Sequence, residues 1–278
     1  MSGGAAPTGR AVFTTGANSG IGLATVIELA RRGYRSIGSV RSTEKADAVA
    51  KAAAGAGVEV ETVLLDVTDA SGCERALQGL SLYGLVNNAG YGQTGAIEDV
   101  SDDEVRALLE TLVLAPMRLA RLVLPAMRDQ GGGRIVNVSS IAGRATAPFA
   151  GWYAAAKHAL EAATDALRVE VARDGVKVAL VEPGGFRTAI WEDSERDVAG
   201  RAGSPYDRAY QRSLLAMKLG APFMGDPARA ARAIAGAIGA RSPRPRYLVG
   251  YDAQALALLD SLAPTAVKDR VMRLGLGL

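Results

Sequence analysis

A phenol and an amine four residues apart carry the clearest chemical signal in the chain. In Tyr153-Ala154-Ala155-Ala156-Lys157 the i, i+4 spacing places both side chains on one face of a helix, close enough to interact. A cation beside a phenol stabilises the phenolate and lowers its pKa toward the range useful for proton transfer. Upstream, the run GRIVNV from Gly133 ends in Ser139-Ser140, which brings a hydroxyl pair to a strand end shortly before that helix. Tyr-x-x-x-Lys is weak by itself; its order after the serine pair is what raises it. Rival chemistries fall by count. One histidine, His158, leaves no Ser-His-Asp set, and one cysteine, Cys73, leaves neither an internal disulfide nor a cysteine zinc cluster, so no metal is expected. His158 reads as a helix-surface residue and Cys73 as inert.

A second group of residues points to a nucleotide. The first strand candidate runs into Thr15-Gly16-Ala17-Asn18-Ser19-Gly20-Ile21-Gly22, and an amphipathic helix follows at once. Glycine is needed where backbone turns sharply or closely approaches a pyrophosphate, and a new helix offers unpaired N–H groups and the positive end of its dipole. At the end of the second strand stands Arg41, with no carboxylate before Glu44. An acid there would hold ribose hydroxyls, whereas an arginine suits a 2′-phosphate and grips it bidentately, which favours NADP(H). Later strand ends supply Leu65-Asp66-Val67, where Asp66 suits an adenine amino group, and Asn87-Asn88-Ala89-Gly90, where Asn87 reads as a brace for the sheet. Ligands of open α/β sheets lie beyond the carboxyl ends of the strands, which is where both segments fall.

The elements that must hold these residues follow from periodicity. β-Branched runs at Ala11–Thr15, Ser36–Val40, Val58–Leu65, Leu82–Asn87, Arg134–Ser139, Val176–Val181 and Tyr247–Val249 alternate with helical patterns near Gly20–Arg32, Thr43–Ala54, Ala70–Gln78, Asp102–Arg128, Gly151–Arg173 and Pro227–Ala240. That alternation predicts a parallel sheet covered on both faces, with right-handed crossovers. The chain has 278 residues, 49% hydrophobic and 22% charged, which suits a single globular domain over 11–278 after a flexible tail, 1–10. Residues 189–226 are too long for an ordinary connection and read as a substrate lid. A net charge of +3 and the run Arg241–Arg246, taken as a solvated turn, argue against nucleic acid. The apolar stretch Leu119–Met127 is too short and too charged to cross a membrane. With no signal-peptide pattern at the start, a cytoplasmic location is the default expectation.

Together these segments resemble the classical short-chain dehydrogenase/reductase family. TGANSGIG stands for its TGxxxGxG cofactor motif, NNAG is unchanged, Ser140 precedes Tyr153 at the family spacing, YAAAK matches YxxxK, and PGGFRT matches its PG…T signature. The motifs run in order over residues 11 to 188. Within the family, VEPGGFRT and the stretch after Asp226 look similar to hydroxysteroid-dehydrogenase-like and ketoreductase members. The resemblance implies a single-domain Rossmann fold: α/β, doubly wound, with a seven-stranded parallel sheet, helices on both faces and the lid after strand six. It implies an enzyme acting on CH–OH groups, transferring hydride between NADP(H) and a ketone or secondary alcohol. Tyr153 would be the general acid/base, Lys157 would lower its pKa and hold the nicotinamide ribose, and Ser140 would hydrogen-bond the substrate oxygen. Pro183, Gly184 and Thr188 would position the nicotinamide. A homodimer or homotetramer is the family's usual assembly.

One position departs. The family places an asparagine 41 residues ahead of the tyrosine, in a helix kink that holds a proton-relaying water; here Leu112 stands there, and no asparagine occurs from 101 to 130. An aliphatic side chain cannot orient water. The alternative reading is therefore an NADP(H)-binding sensor or scaffold with weak or no catalysis. Leu112→Asn is expected to keep the fold and to raise or leave unchanged the rate. Phe149, Trp191, Tyr206, Phe223 and Met224 suggest a partly apolar pocket, and so a hydrophobic small-molecule carbonyl or alcohol.

Overall fold

A computed structural model describes residues 9–186, 190–220 and 224–278. Seven parallel strands form one sheet in the order β3-β2-β1-β4-β5-β6-β7. They are β1 (Ala11–Thr14), β2 (Arg35–Val40), β3 (Glu61–Leu64), β4 (Leu82–Asn87), β5 (Gly133–Val138), β6 (Val176–Pro183) and β7 (Arg246–Val249). Helices join them: α1 (Gly20–Arg31), α2 (Thr43–Gly55), α3 (Ala70–Leu77), α4 (Asp102–Leu109), α5 (Ala115–Asp129), α6 (Gly151–Glu170), α7 (Ile190–Ala199), α8 (Asp207–Gly220), α9 (Pro227–Gly239), α10 (Tyr251–Leu262) and α11 (Thr265–Leu276). The strand order reverses between β1 and β4, and a crevice must open above their carboxyl ends.

Period-two alternation decides which side chains meet which layer. Ala11, Phe13, Leu85 and Ile135 pack under Leu119, Val123 and Met127 of α5, while Val12, Val86, Val136 and Val138 face Leu29 of α1 and Ile234 and Ile238 of α9. Because both faces are covered, the strands read as near-continuous apolar runs, and this is why sequence periodicity finds all seven. The single long helix expected over 102–128 is instead α4 and α5 joined by one π-helical turn, Glu110–Leu114. The third strand is shorter than expected, and the segment read as a lid contains α7 and α8. Arg246 is also corrected: it does not sit in a solvated turn but begins β7, inside a cluster of ion pairs. Most of the expected N-terminal tail lies outside the described residues.

Candidate active site

The glycine turn is built by close backbone approach. Gly16 has φ +66°, and a Cβ there would lie 2.8 Å from the Ala89 Cα; Gly20 also takes a positive φ, +52°. A Cβ on Gly22 would strike the Gly16 carbonyl and come within 2.5 Å of the Asn88 amide. Asn88 stitches this turn to β4: its Nδ2 donates to the carbonyls of Thr15 (2.9 Å) and Gly16 (3.1 Å), while the Thr15 hydroxyl accepts from the N–H groups of Asn88 and Ala89. Ser19 precedes α1 without capping it, so the helix's first N–H groups face outward.

A cleft of about 680 Å³ extends from this turn along the strand ends. Gly16, Asn18, Ser19, Gly20, Ile21, Gly22, Arg41, Asp66, Val67, Asn88, Ala89, Gly90, Ser140, Tyr153, Lys157, Pro183 and Gly184 all line it. Thr188, Phe223 and the Trp191 side chain lie outside the described residues. Lys45, in the first turn of α2, joins Arg41 on the same wall; sequence reasoning missed it, although its position one turn after a strand-end arginine is a usable signal. Asp66 Oδ1 accepts from the Thr68 hydroxyl (2.7 Å) and N–H (2.9 Å), bonds that hold its carboxyl below the usual range. A glycine cradle that a Cβ would fill, an uncapped helix start and a basic far wall fit the pyrophosphate and adenosine phosphate of a dinucleotide.

At the opposite end, Tyr153 and Lys157 rise from the first turns of α6 beneath Ser140. The Ser140 hydroxyl oxygen accepts from the Ala142 N–H (3.1 Å), and the same hydroxyl acts on the Tyr153 phenol, drawing its pKa down. Lys157 is buried; its Nζ donates to the Val138 carbonyl (2.9 Å) and lies 5.8 Å from the Tyr153 ring centre. The expected lowering of the phenol pKa is not found. Desolvation pushes Tyr153 up, only partly offset by Ser140, and desolvation also lowers Lys157 to about 8, against the upward pull of Glu161. With its ammonium directed to a backbone carbonyl, Lys157 gives the phenol no direct bond.

Leu112 sits in the π turn with 1% of its surface exposed, against Leu108, Ala156, Trp152 and Tyr153. Gly90 is the residue that makes room for it: a Cβ there would fall 2.7 Å from Leu112 Cδ2. The polar group nearest in role, Asn87, is a brace, donating to Asn137 (2.8 Å) and to the Pro116 carbonyl (3.2 Å). The Pro183-Gly184-Gly185 turn is held by Asp252, whose carboxylate accepts from the Gly185 N–H at 2.5 Å. No sequence signal marks that contact, which spans 67 positions.

Two aromatic expectations are revised. Phe149 and Tyr206 do not face the cleft but form, with Tyr210, a cluster that pins α8, the Phe149 and Tyr210 ring centres being 4.5 Å apart. Tyr91 and Phe186 line the cleft instead, with Thr111 and the α7 residues Asp193, Arg196 and Asp197. His158 lies exposed on α6, its Nδ1 2.9 Å from the Ala154 carbonyl, and burial pushes the Cys73 thiol up, as an inert cysteine requires. No acidic, cysteine or histidine cluster suited to a metal occurs among the described residues.

The sequence profile of the short chain dehydrogenase family matches residues 10–199, and the chain belongs to that family. It is 33% identical over 273 residues to YusZ, an uncharacterized oxidoreductase of Bacillus subtilis, covering 95% of this chain and 97% of that one. It is 31% identical over 281 residues to human retinol dehydrogenase 5, covering 94% and 87%. The solved structure of an actinorhodin polyketide ketoreductase variant with NADPH has a TM-score of 0.77 at 28% identity, covering 90% of this chain and 97% of that one. The protein is thus an oxidoreductase of the short-chain dehydrogenase/reductase family, on a single-domain Rossmann fold.

Proposed function

We propose that the protein is an NADP(H)-dependent reductase or dehydrogenase acting on a ketone or secondary alcohol, with Tyr153 as general acid and base. The observation that carries this reading is the meeting of Tyr153, Ser140 and Lys157 in the same cleft as the glycine turn. The nicotinamide cofactor, when bound, supplies or accepts the hydride. The first turn of α1 and the glycine turn would hold its pyrophosphate, and Arg41 with Lys45 its 2′-phosphate. Pro183, Gly184 and Thr188 would orient the nicotinamide end. During reduction, the Ser140 hydroxyl hydrogen-bonds the substrate oxygen, and Tyr153, kept protonated by its burial, passes its proton to that oxygen as charge builds there. Lys157 stabilises the phenolate left behind. In oxidation the proton returns by the same route.

Tyr91 and Phe186 favour a substrate with an apolar part, and a relative named for retinol and a neighbour named as a polyketide ketoreductase agree with that class. Asp193, Arg196 and Asp197 offer a polar end contributed by the lid itself, 189–226. A cytoplasmic homodimer or homotetramer belongs to the same reading, on the family's pattern. Leu112 favours a second reading, an NADP(H)-binding protein with little turnover. The test is reduction of a ketone panel with NADPH by wild type and Tyr153→Phe. A loss on the order of 10²–10⁴-fold with cofactor binding retained supports the enzyme; absence of wild-type turnover on every carbonyl supports the binder.

A further inference from the structure

Along α6 the ionisable residues continue past the pair already described. Tyr153, Lys157, Glu161 and Asp165 recur at every fourth position, so they share one helix face. Glu161 is 7% exposed, as deeply buried as Lys157, and it bears on Lys157 electrostatically. Its Oε1 and the Ser139 Oγ are both buried against Gly143, where a Cβ would come 2.7 Å from that hydroxyl and 3.2 Å from that carboxylate oxygen.

The charges that face Glu161 come from four elements. Lys157 and Asp165 belong to its own helix, Glu182 to β6, Arg246 to β7, and Arg144 follows the short 3₁₀ turn after Ser140. Arg246 meets Glu161 at 3.2 Å, Asp165 at 2.5 Å and Glu182 at 3.1 Å, and Arg144 closes on Glu182 at 2.5 Å. Lys157, Arg144 and Arg246 thus surround Glu161, Asp165 and the fully buried Glu182, and Arg168 adds a second pair to Asp165 at 2.6 Å. Removing the Glu161 charge would raise the excess of positive charge around Lys157 by one, at a position that is itself buried. Arginine does not surrender its proton there, so lysine is the group that would.

We propose that Glu161 is a positioning residue for the reaction, holding Lys157 in its charged form beneath Tyr153 at a site where Leu112 supplies no polar group. The inference rests on Tyr153 and Lys157 being the proton-transfer pair. A merely structural role, tying β7 to α6 through Arg246, predicts a change in stability alone.

Glu161→Gln keeps the shape and removes the charge. Two measurements read it: the alkaline limb of kcat/KM for NADPH-dependent ketone reduction, and, without cofactor, the pH dependence of unfolding free energy above pH ~7. Both should move to lower pH by about one unit. Glu161→Asp should restore both, and in a Lys157→Met background Glu161→Gln should no longer move the stability curve. A folded Glu161→Gln protein with both curves unmoved overturns the proposal. If that variant does not fold, Arg246→Gln decides: loss of a neighbouring cation should move both curves upward, and curves that stay or fall overturn the proposal equally. Full turnover by Tyr153→Phe would fault the functional reading instead, and the cofactor-free stability curve would still decide the role of Glu161.

Discussion

At the scale of single residues, burial governs the site's charges. Because Lys157 titrates at about 8 when folded and near its ordinary 10.5 when unfolded, the unfolded chain holds more protons between those values, and stability rises with pH across that window. Below it the buried ammonium costs on the order of 3 kcal/mol. Lys157→Met should flatten the rise, as denaturant unfolding at stepped pH would show; above pH 10 the raised Tyr153 acts oppositely, since the unfolded phenol ionises first. At the other end of the cleft, Arg41→Ala should lower the preference for NADPH over NADH by about 10–100-fold, the worth of one charge-assisted hydrogen-bonding pair. Steady-state KM values for both cofactors check it, and an unchanged ratio removes Arg41 from the phosphate site.

At the scale of elements, the π turn Glu110–Leu114 is the feature that sequence patterning misses. A 3.6-residue apolar period runs through Asp102–Arg128 without a break, and one extra residue per turn leaves no trace in residue types. The turn delivers Leu112 into an apolar socket of Leu108, Ala156 and Trp152, against Tyr153. Whatever its effect on rate, Leu112→Asn should therefore cost about 2–4 kcal/mol of stability, through a poorly filled socket and an amide without partners. Thermal unfolding measures this directly; a Tm within error of wild type would mean that the amide finds partners after all. Phe149, just before α6, adopts a left-handed φ of +68°, which its ring contacts with Tyr206 and Tyr210 must outweigh.

Across the whole molecule, long-range polar contacts fasten α7 and α8 to the segment between β4 and α4. The Tyr210 hydroxyl donates to Asp99 (2.6 Å) and accepts from the Ala96 N–H (2.7 Å), while Asp197 accepts from the Thr94 N–H (2.8 Å). Tyr210→Phe should strand the buried Ala96 N–H, at about 1–3 kcal/mol, while the Asp99 oxygen keeps its bond from Ser204. Limited proteolysis should then cut between α7 and α8 faster than in wild type, and equal cutting rates would show that these bonds do not hold the segment down.

Residue types and local spacing determined much of this protein. Seven apolar strand runs, the glycine turn, Arg41 and the ordered Ser140, Tyr153 and Lys157 were readable because strand pairing, helix periodicity and sharp turns are short-range constraints on side-chain type. Tertiary structure alone decided that Phe149 and Tyr206 pin a helix rather than line the cleft, that Asp252 steadies the Pro183-Gly184 turn, and that Arg246 joins Glu161 and Glu182 beside Lys157. Burial and charge balance depend on which distant segments pack together, and no local window of residues contains that information.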